Sequence, residues 1–222
     1  MPQIHFIDVT NRDTVQASRI NLSKLQKTMV NFYLGQMGIR QSEFAFPFVK
    51  NEQNYVRANL ELKEAGAFGG LVLEGWCRAV VPDVTEALST GVKDLNVSIS
   101  TSDQMITHKL GGRLDREAVI REMTAAVAHA RQQGASTVGV NAEDASRSDL
   151  AYLVTFAEAA KDAGADRLRY CDTLGCETPF TIYRRVRLIA EQVEIPLELH
   201  CHNDLGMAVA NSVAGARGAV DA

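Results

Sequence analysis

No apolar stretch in this 222-residue sequence approaches the ~18 residues that span a bilayer. Its opening, Met1-Pro2-Gln3-Ile4-His5, lacks the charged and apolar regions of a signal peptide. A strong charge of either sign is also missing: 23 Lys and Arg oppose 27 Asp and Glu, a formal net charge of −4. That balance excludes the basic footprint of a nucleic-acid binder and gives no pull toward an anionic membrane. Cysteine is sparse. Cys77, Cys171, Cys176 and Cys201 are scattered without zinc-finger spacing, so reduced thiols in a cytoplasmic protein are expected. The low hydrophobicity of disordered chains is absent as well, with 46% hydrophobic and 23% charged residues.

What is present is a short apolar run followed by a longer amphipathic segment, repeated along the chain. Ile4–Thr10, Ser42–Phe46, Gly70–Trp76, Asp94–Ser100, Thr137–Asn141, Arg167–Cys171 and Leu197–His202 read as strands. A first helix carries Leu22, Leu25, Met29, Phe32 and Met37 at helical spacing and stops at Gly38. Another spans about Asp115 to Gln133. A third starts near Ser148 as N-cap and buries Leu150, Val154 and Ala157. Strands alternating with helices imply a parallel sheet with right-handed crossovers. Seven such units without a linker or low-complexity tract point to one domain over residues 1–222, an α/β TIM (β/α)8 barrel. The pattern from Leu205 to about Arg217 is followed only by Gly218 to Ala222. The barrel is therefore expected to lack its eighth strand, with two open edges for a second copy or a complementing chain to cover.

In such a barrel, function gathers at the carboxyl ends of the strands. Leu199-His200-Cys201-His202-Asn203-Asp204 ends the seventh strand. Residues two apart on a strand share a side, so His200 and His202 project together, as a divalent metal requires, or else are two satisfied polar side chains. The first strand runs into Arg12-Asp13. This is either a structural ion pair or a carboxylate completing a nitrogen–oxygen metal site beside a fixed positive charge. After the fifth strand comes Asn141-Ala142-Glu143-Asp144-Ala145-Ser146-Arg147, where Asp144 or Ser146 caps a helix, or Glu143 is an acid or base facing the site.

These motifs carry a resemblance. Asp8-Val9-Thr10-Asn11-Arg12-Asp13-Thr14-Val15-Gln16 is similar to the opening D-T-T-L-R-D-G-x-Q of the acyl-transferring metallolyase barrels, which include homocitrate, 2-isopropylmalate and citramalate synthases. His200, His202, Asp204 and Gly206 match that family's H-x-H-x-D-x-G. Trp76-Cys77-Arg78, Asn96 to Gln104, His108-Lys109-Leu110, Glu143 to Arg147 and Asp172-Thr173-Leu174-Gly175 recur in order. The chain most resembles the homocitrate synthase of nitrogen-fixation systems, from about Asp8 to Ala216.

The resemblance implies metal ligands at Asp13, His200 and His202. It implies a catalytic arginine at Arg12 and an active-site glutamate at Glu143. Gln16 and Thr173 fall in the substrate pocket, and Arg78 and Arg147 are candidates for a distal carboxylate. The implied reaction is a Claisen condensation of acetyl-CoA with a 2-oxo acid, supported by Mg2+ or Mn2+, or by Zn2+, with 2-oxoglutarate giving homocitrate as the preferred substrate. Isopropylmalate or citramalate synthesis and a split synthase inactive alone are the alternatives. Two departures stand out: Thr14 replaces the glycine after the Arg-Asp pair, and the family's eighth strand with its glycine-rich segment is missing.

Overall fold

The computed structural model describes residues 4–222. Met1, Pro2 and Gln3, on which the reading of the signal peptide partly rests, lie outside the described residues. The strands are β1 (Ile7–Asp8), β2 (Gln41–Ala45), β3 (Val72–Arg78), β4 (Asp94–Ser100), β5 (Thr137–Glu143), β6 (Arg167–Asp172) and β7 (Leu197–Cys201). Neighbours pair in parallel in chain order, and β1 and β7 do not pair with each other among the described residues. The crossovers hold α1 (Lys24–Gln36), α2 (Lys50–Glu64), α3 (Val81–Ser89), α4 (Asp103–His108), α5 (Arg116–Gln132), α6 (Leu150–Asp162) and α7 (Pro179–Gln192), and α8 (Ala208–Val220) follows β7. This is the TIM-barrel class expected from the sequence, an incomplete barrel of seven strands. No helix among the described residues is long and apolar enough to cross a membrane.

Apolar residues fill the layer between sheet and helices. Phe44, Leu73, Leu95, Val97, Val138, Val140 and Leu168 are essentially inaccessible, packed against Val56, Val84, Met123, Phe156 and Ile182 of the helices. Several local details differ from the sequence reading. β1 is shorter than Ile4–Thr10 because the Asp8 carboxylate accepts the Thr10 N–H (3.0 Å) and hydroxyl (2.9 Å), turning the chain off the sheet. The N-cap of α6 is Asp149, which accepts the Tyr152 N–H at 2.9 Å, because the Ser148 hydroxyl is engaged with the Asp144 carbonyl. On α1 the buried positions are Lys27, Asn31 and Leu34, while Leu25 and Met37 are exposed. A polar knot draws that face inward: Asn31 bonds Asn11, Tyr55, Asn59 and Ser42.

The opposite face of the sheet, the barrel interior, is charged. Glu43 of β2 accepts from Arg12 Nε (2.5 Å), Arg169 Nη1 (2.7 Å) and Asn96 Nδ2 (3.0 Å). Glu198 of β7 accepts from both Arg169 and Arg167, and Arg167 also reaches Glu74 of β3. The network joins β2 and β3 to β6 and β7 across the interior, so it holds the sheet curled. Burial raises the Glu43 carboxyl, but Arg169 and Arg12 outweigh it and leave it at about 2. For Glu74, burial prevails over Arg167 and lifts the carboxyl to about 7.

Glu74 therefore makes stability fall with rising pH. Between its ordinary value of 4.5 and about 7 the unfolded chain has released this proton while the fold retains it. Glu74→Gln should remove that slope, so its thermal midpoint should gain on the unsubstituted protein as pH rises from roughly 5 to 8. A constant difference across that range in thermal unfolding would contradict the assignment.

Candidate active site

All the functional candidates lie at or just beyond the carboxyl ends of the strands. Val9 O accepts from Arg12 N (3.1 Å) and Asp13 N (2.7 Å), so a tight turn after β1 presents both side chains. His200 shares the inward parity of Glu198, and His202 follows two residues later at the strand end. The structure brings Asp13, His200 and His202 together. His200 Nε2 lies 3.0 Å from His202 Nε2, and Asp13 Oδ2 lies 3.4 Å and 3.9 Å from them. One ligand atom from each of the three residues lies within 4.8 Å of the others. Donors bound at ~2.1 Å in cis positions stand roughly 3.0–3.4 Å apart, so this set of one carboxylate and two imidazoles fits a divalent ion with open coordination positions. Burial raises the Asp13 carboxyl, but the hydrogen bond from His200 and the charge of Arg12 overcome it and hold it at about 2. Asp13 is thus a ready anionic donor.

Arg12 is buried and fixed by two carboxylates, Glu43 through Nε and Asp13 through Nη1 at 2.8 Å, with Trp76 5.5 Å from its guanidinium carbon. Glu143 ends β5 with the inward parity of Gly139, whose open face is turned toward Asn96 and Arg167. Its carboxylate accepts from Ser100 Oγ (2.9 Å) and from Lys109 Nζ (2.5 and 2.6 Å). Thr173, in the loop after β6, accepts the Asp144 N–H at 2.9 Å. Gln16 is exposed on a short 3-10 turn. Arg78 is mostly exposed and bonded twice to Asp83 (2.6 and 2.8 Å), and Arg147 is clamped on Asp144 at 2.6 Å. Both guanidiniums are thus engaged within their own βα units.

Two residues given no role in the sequence reading, Glu43 and Lys109, belong to this rim, as does Asp144, read there as a helix-cap candidate. An acidic residue between Ser42 and Phe44 in an otherwise buried strand was the available signal for Glu43, since an inward charge there needs a cationic partner. Gly175 supports the histidines. Its φ is +59°, and a Cβ there would meet His202 O at 2.8 Å and Asp204 N at 2.9 Å. Gly175→Ala should push the β7 end outward, costing about 1–3 kcal/mol of stability and weakening divalent-ion binding. Calorimetry with Mn2+ that shows unchanged affinity would refute this.

Comparison with known proteins places the chain among relatives. The chain is 56% identical, over all of its length, to a citrate (Re)-synthase from Dehalococcoides mccartyi, of which it covers 54%. It is 41% identical over 96% of its length to 2-isopropylmalate synthase 2 from Caldanaerobacter subterraneus, again covering 54% of that protein. With homocitrate synthase 1 from a Nostoc species it shares 32% identity over 97% of its length, covering 55% of the relative. The chain thus spans about half the length of the curated relatives it matches. In fold it is similar to hydroxymethylglutaryl-CoA lyase from Pseudomonas aeruginosa, with a TM-score of 0.78 at 19% identity over 96% of this chain and 72% of that one. The HMGL-like family model matches residues 3–222, the same stretch that forms the seven-strand barrel and brings Asp13 to the two histidines: the chain belongs to the HMGL-like family.

Proposed function

We propose that this chain forms the metal-centred part of an acyltransferase that condenses acetyl-CoA with a 2-oxo acid. The observation that carries this reading is the Asp13–His200–His202 cluster with Arg12 bonded to its carboxylate. A divalent ion held by those three residues would bind the oxo acid and act as a Lewis acid at its keto carbon. Arg12, immobilised by Glu43 and Asp13, supplies a preorganised positive charge that steadies negative charge as it develops. Glu143 is the candidate base for the methyl proton of acetyl-CoA. Lys109 bonds both of its oxygens, so taking that proton requires Lys109 to yield one of them, and its half-exposed side chain has room to do so. Thioester hydrolysis would then make the condensation irreversible.

The oxo acid expected from the sequence is 2-oxoglutarate. The 56% identity to a citrate (Re)-synthase, against 32% to a homocitrate synthase, supports oxaloacetate ahead of it. The 41% identity to an isopropylmalate synthase keeps 2-oxoisovalerate as a comparison. Mg2+ or Mn2+ suits the carboxylate and the oxo acid, and two imidazoles also suit Zn2+. Phe6, Leu205, Val209 and Val213 lie exposed on or near the two terminal βα units. Their exposure supports completion of the barrel by further chain, a second copy or a complementing subunit.

The full-length protein should release free CoA from acetyl-CoA only with a divalent ion and a 2-oxo acid, fastest with oxaloacetate among oxaloacetate, 2-oxoglutarate, 2-oxoisovalerate and pyruvate. Silence with all four, in metal-loaded protein, would overturn the proposal. His200→Ala and His202→Ala should each abolish stoichiometric Mn2+ binding. Unchanged metal content in both variants would remove the assigned ligands.

A further inference from the structure

Among the described residues, Asp144 has the one left-handed non-glycine backbone that is also buried. Its φ is +60° and its ψ 35°, whereas Arg19, the other such residue among those described, is exposed. Such a conformation is disfavoured for a residue with a side chain and persists where the surroundings over-determine it. Here three βα loops do so. From the β4–α4 loop, Ser102 Oγ donates to Asp144 Oδ2, and Thr101 Oγ1 donates to the Glu143 carbonyl at 2.9 Å. From its own loop, Arg147 Nε donates to both Asp144 oxygens (3.0 and 2.9 Å), and Ser148 Oγ donates to the Asp144 carbonyl at 3.0 Å. From the β6–α7 loop, Thr173 Oγ1 accepts the Asp144 N–H.

Two consequences follow for neighbouring side chains. The left-handed residue ends β5 abruptly, leaving Glu143 as its last strand residue between Ser100 and Lys109. It also spends a lone pair of the Thr173 hydroxyl on a backbone N–H. Thr173 keeps one hydroxyl proton to give, and no protein acceptor takes it among the described residues.

We propose that Asp144 is a positioning residue for the condensation: its strained, triply anchored backbone aims the Glu143 carboxylate and fixes Thr173 as a hydrogen-bond donor to the 2-oxo acid. This rests on the proposed function above. A merely structural Asp144 would change the folded fraction and leave turnover per metal-loaded molecule intact.

The test uses the full-length, Mn2+-loaded protein and the 2-oxo acid that gives the fastest CoA release. Asp144→Gly permits the same φ without strain but removes every side-chain anchor. It should lower kcat roughly 10–100-fold and raise the KM for the oxo acid, with bound Mn2+ unchanged. Asp144→Asn, which tolerates the left-handed region and keeps an acceptor for Ser102, should restore kcat to within roughly threefold. Thr173→Val should raise the oxo-acid KM, and combining it with Asp144→Gly should raise that KM no further, since loss of the side-chain anchors is expected to act on KM through the placement of the Thr173 hydroxyl. Where Asp144→Gly does not fold, Ser102→Ala should still lower kcat roughly 3–10-fold at constant metal content. Wild-type kcat and KM in the folded variants, or fully additive KM effects, would overturn the role while leaving the proposed function standing. An unsubstituted protein that releases no CoA with any oxo acid would instead remove the function, and this role with it.

Discussion

Arg169 is the residue the barrel closes around. It is 1% exposed and reaches Glu43 on one side of the interior and Glu198 on the other. A guanidinium taken so far out of water is tolerable only if carboxylates converge on it. Those carboxylates come from β2 and β7, near the opposite ends of the sheet. Flattening the sheet would separate them and leave buried charges unpaired, at about 3–5 kcal/mol for each broken pair. Most TIM barrels fill this space with layers of Val, Ile and Leu. Here the interior is an ion network, so its curvature is set by charge pairing as well as by packing.

The same network reaches the site. Glu43 divides its two oxygens between Arg169 below and Arg12 above, and Arg12 passes the restraint to Asp13. The candidate metal cluster draws Asp13 from the loop after β1 and the histidines from the end of β7, two strands without a common ladder among the described residues. A cation between them would therefore cross-link the edges of the open sheet. Ligand binding and barrel curvature are linked for that reason, and an ion that binds only the curled form stabilises it by mass action.

The alternation of apolar runs and amphipathic segments made the βα order readable, because parallel strands buried on both sides and helices buried on one leave different periods in the sequence. His200 and His202 were readable as a pair for an equally local reason, their spacing of two on a strand. Their meeting with Asp13 was not a local signal, since 187 positions separate it from His200, and from sequence alone it rested on the barrel topology and the family resemblance. The α1 surface shows the limit of pattern reading: its helical period is real, yet the buried side is the one carrying Lys27 and Asn31, drawn inward by hydrogen bonds to partners distant in sequence. The cap of α6 moved from Ser148 to Asp149 for a similar reason, as tertiary partners claimed the serine hydroxyl.

Arg78 and Arg147 illustrate how a resemblance and a structure carry different information. A guanidinium in a βα loop is a reasonable partner for a substrate carboxylate, but each here is already matched bidentately to an aspartate three to five residues away. Recruiting either would strip its aspartate of a strong pair, and Asp83 and Asp144 are both largely buried. Lys109 differs in kind. Its pairing with Glu143 spans 34 residues, and its side chain is about half exposed, so the cation can leave at little desolvation cost while the carboxylate keeps Ser100. At this rim, then, Arg78 and Arg147 are fixtures that hold loop shape, and Arg12 is a fixed charge held by Glu43 and Asp13. The proposed role of Glu143 as base would therefore turn on Lys109, a cation placed to move aside.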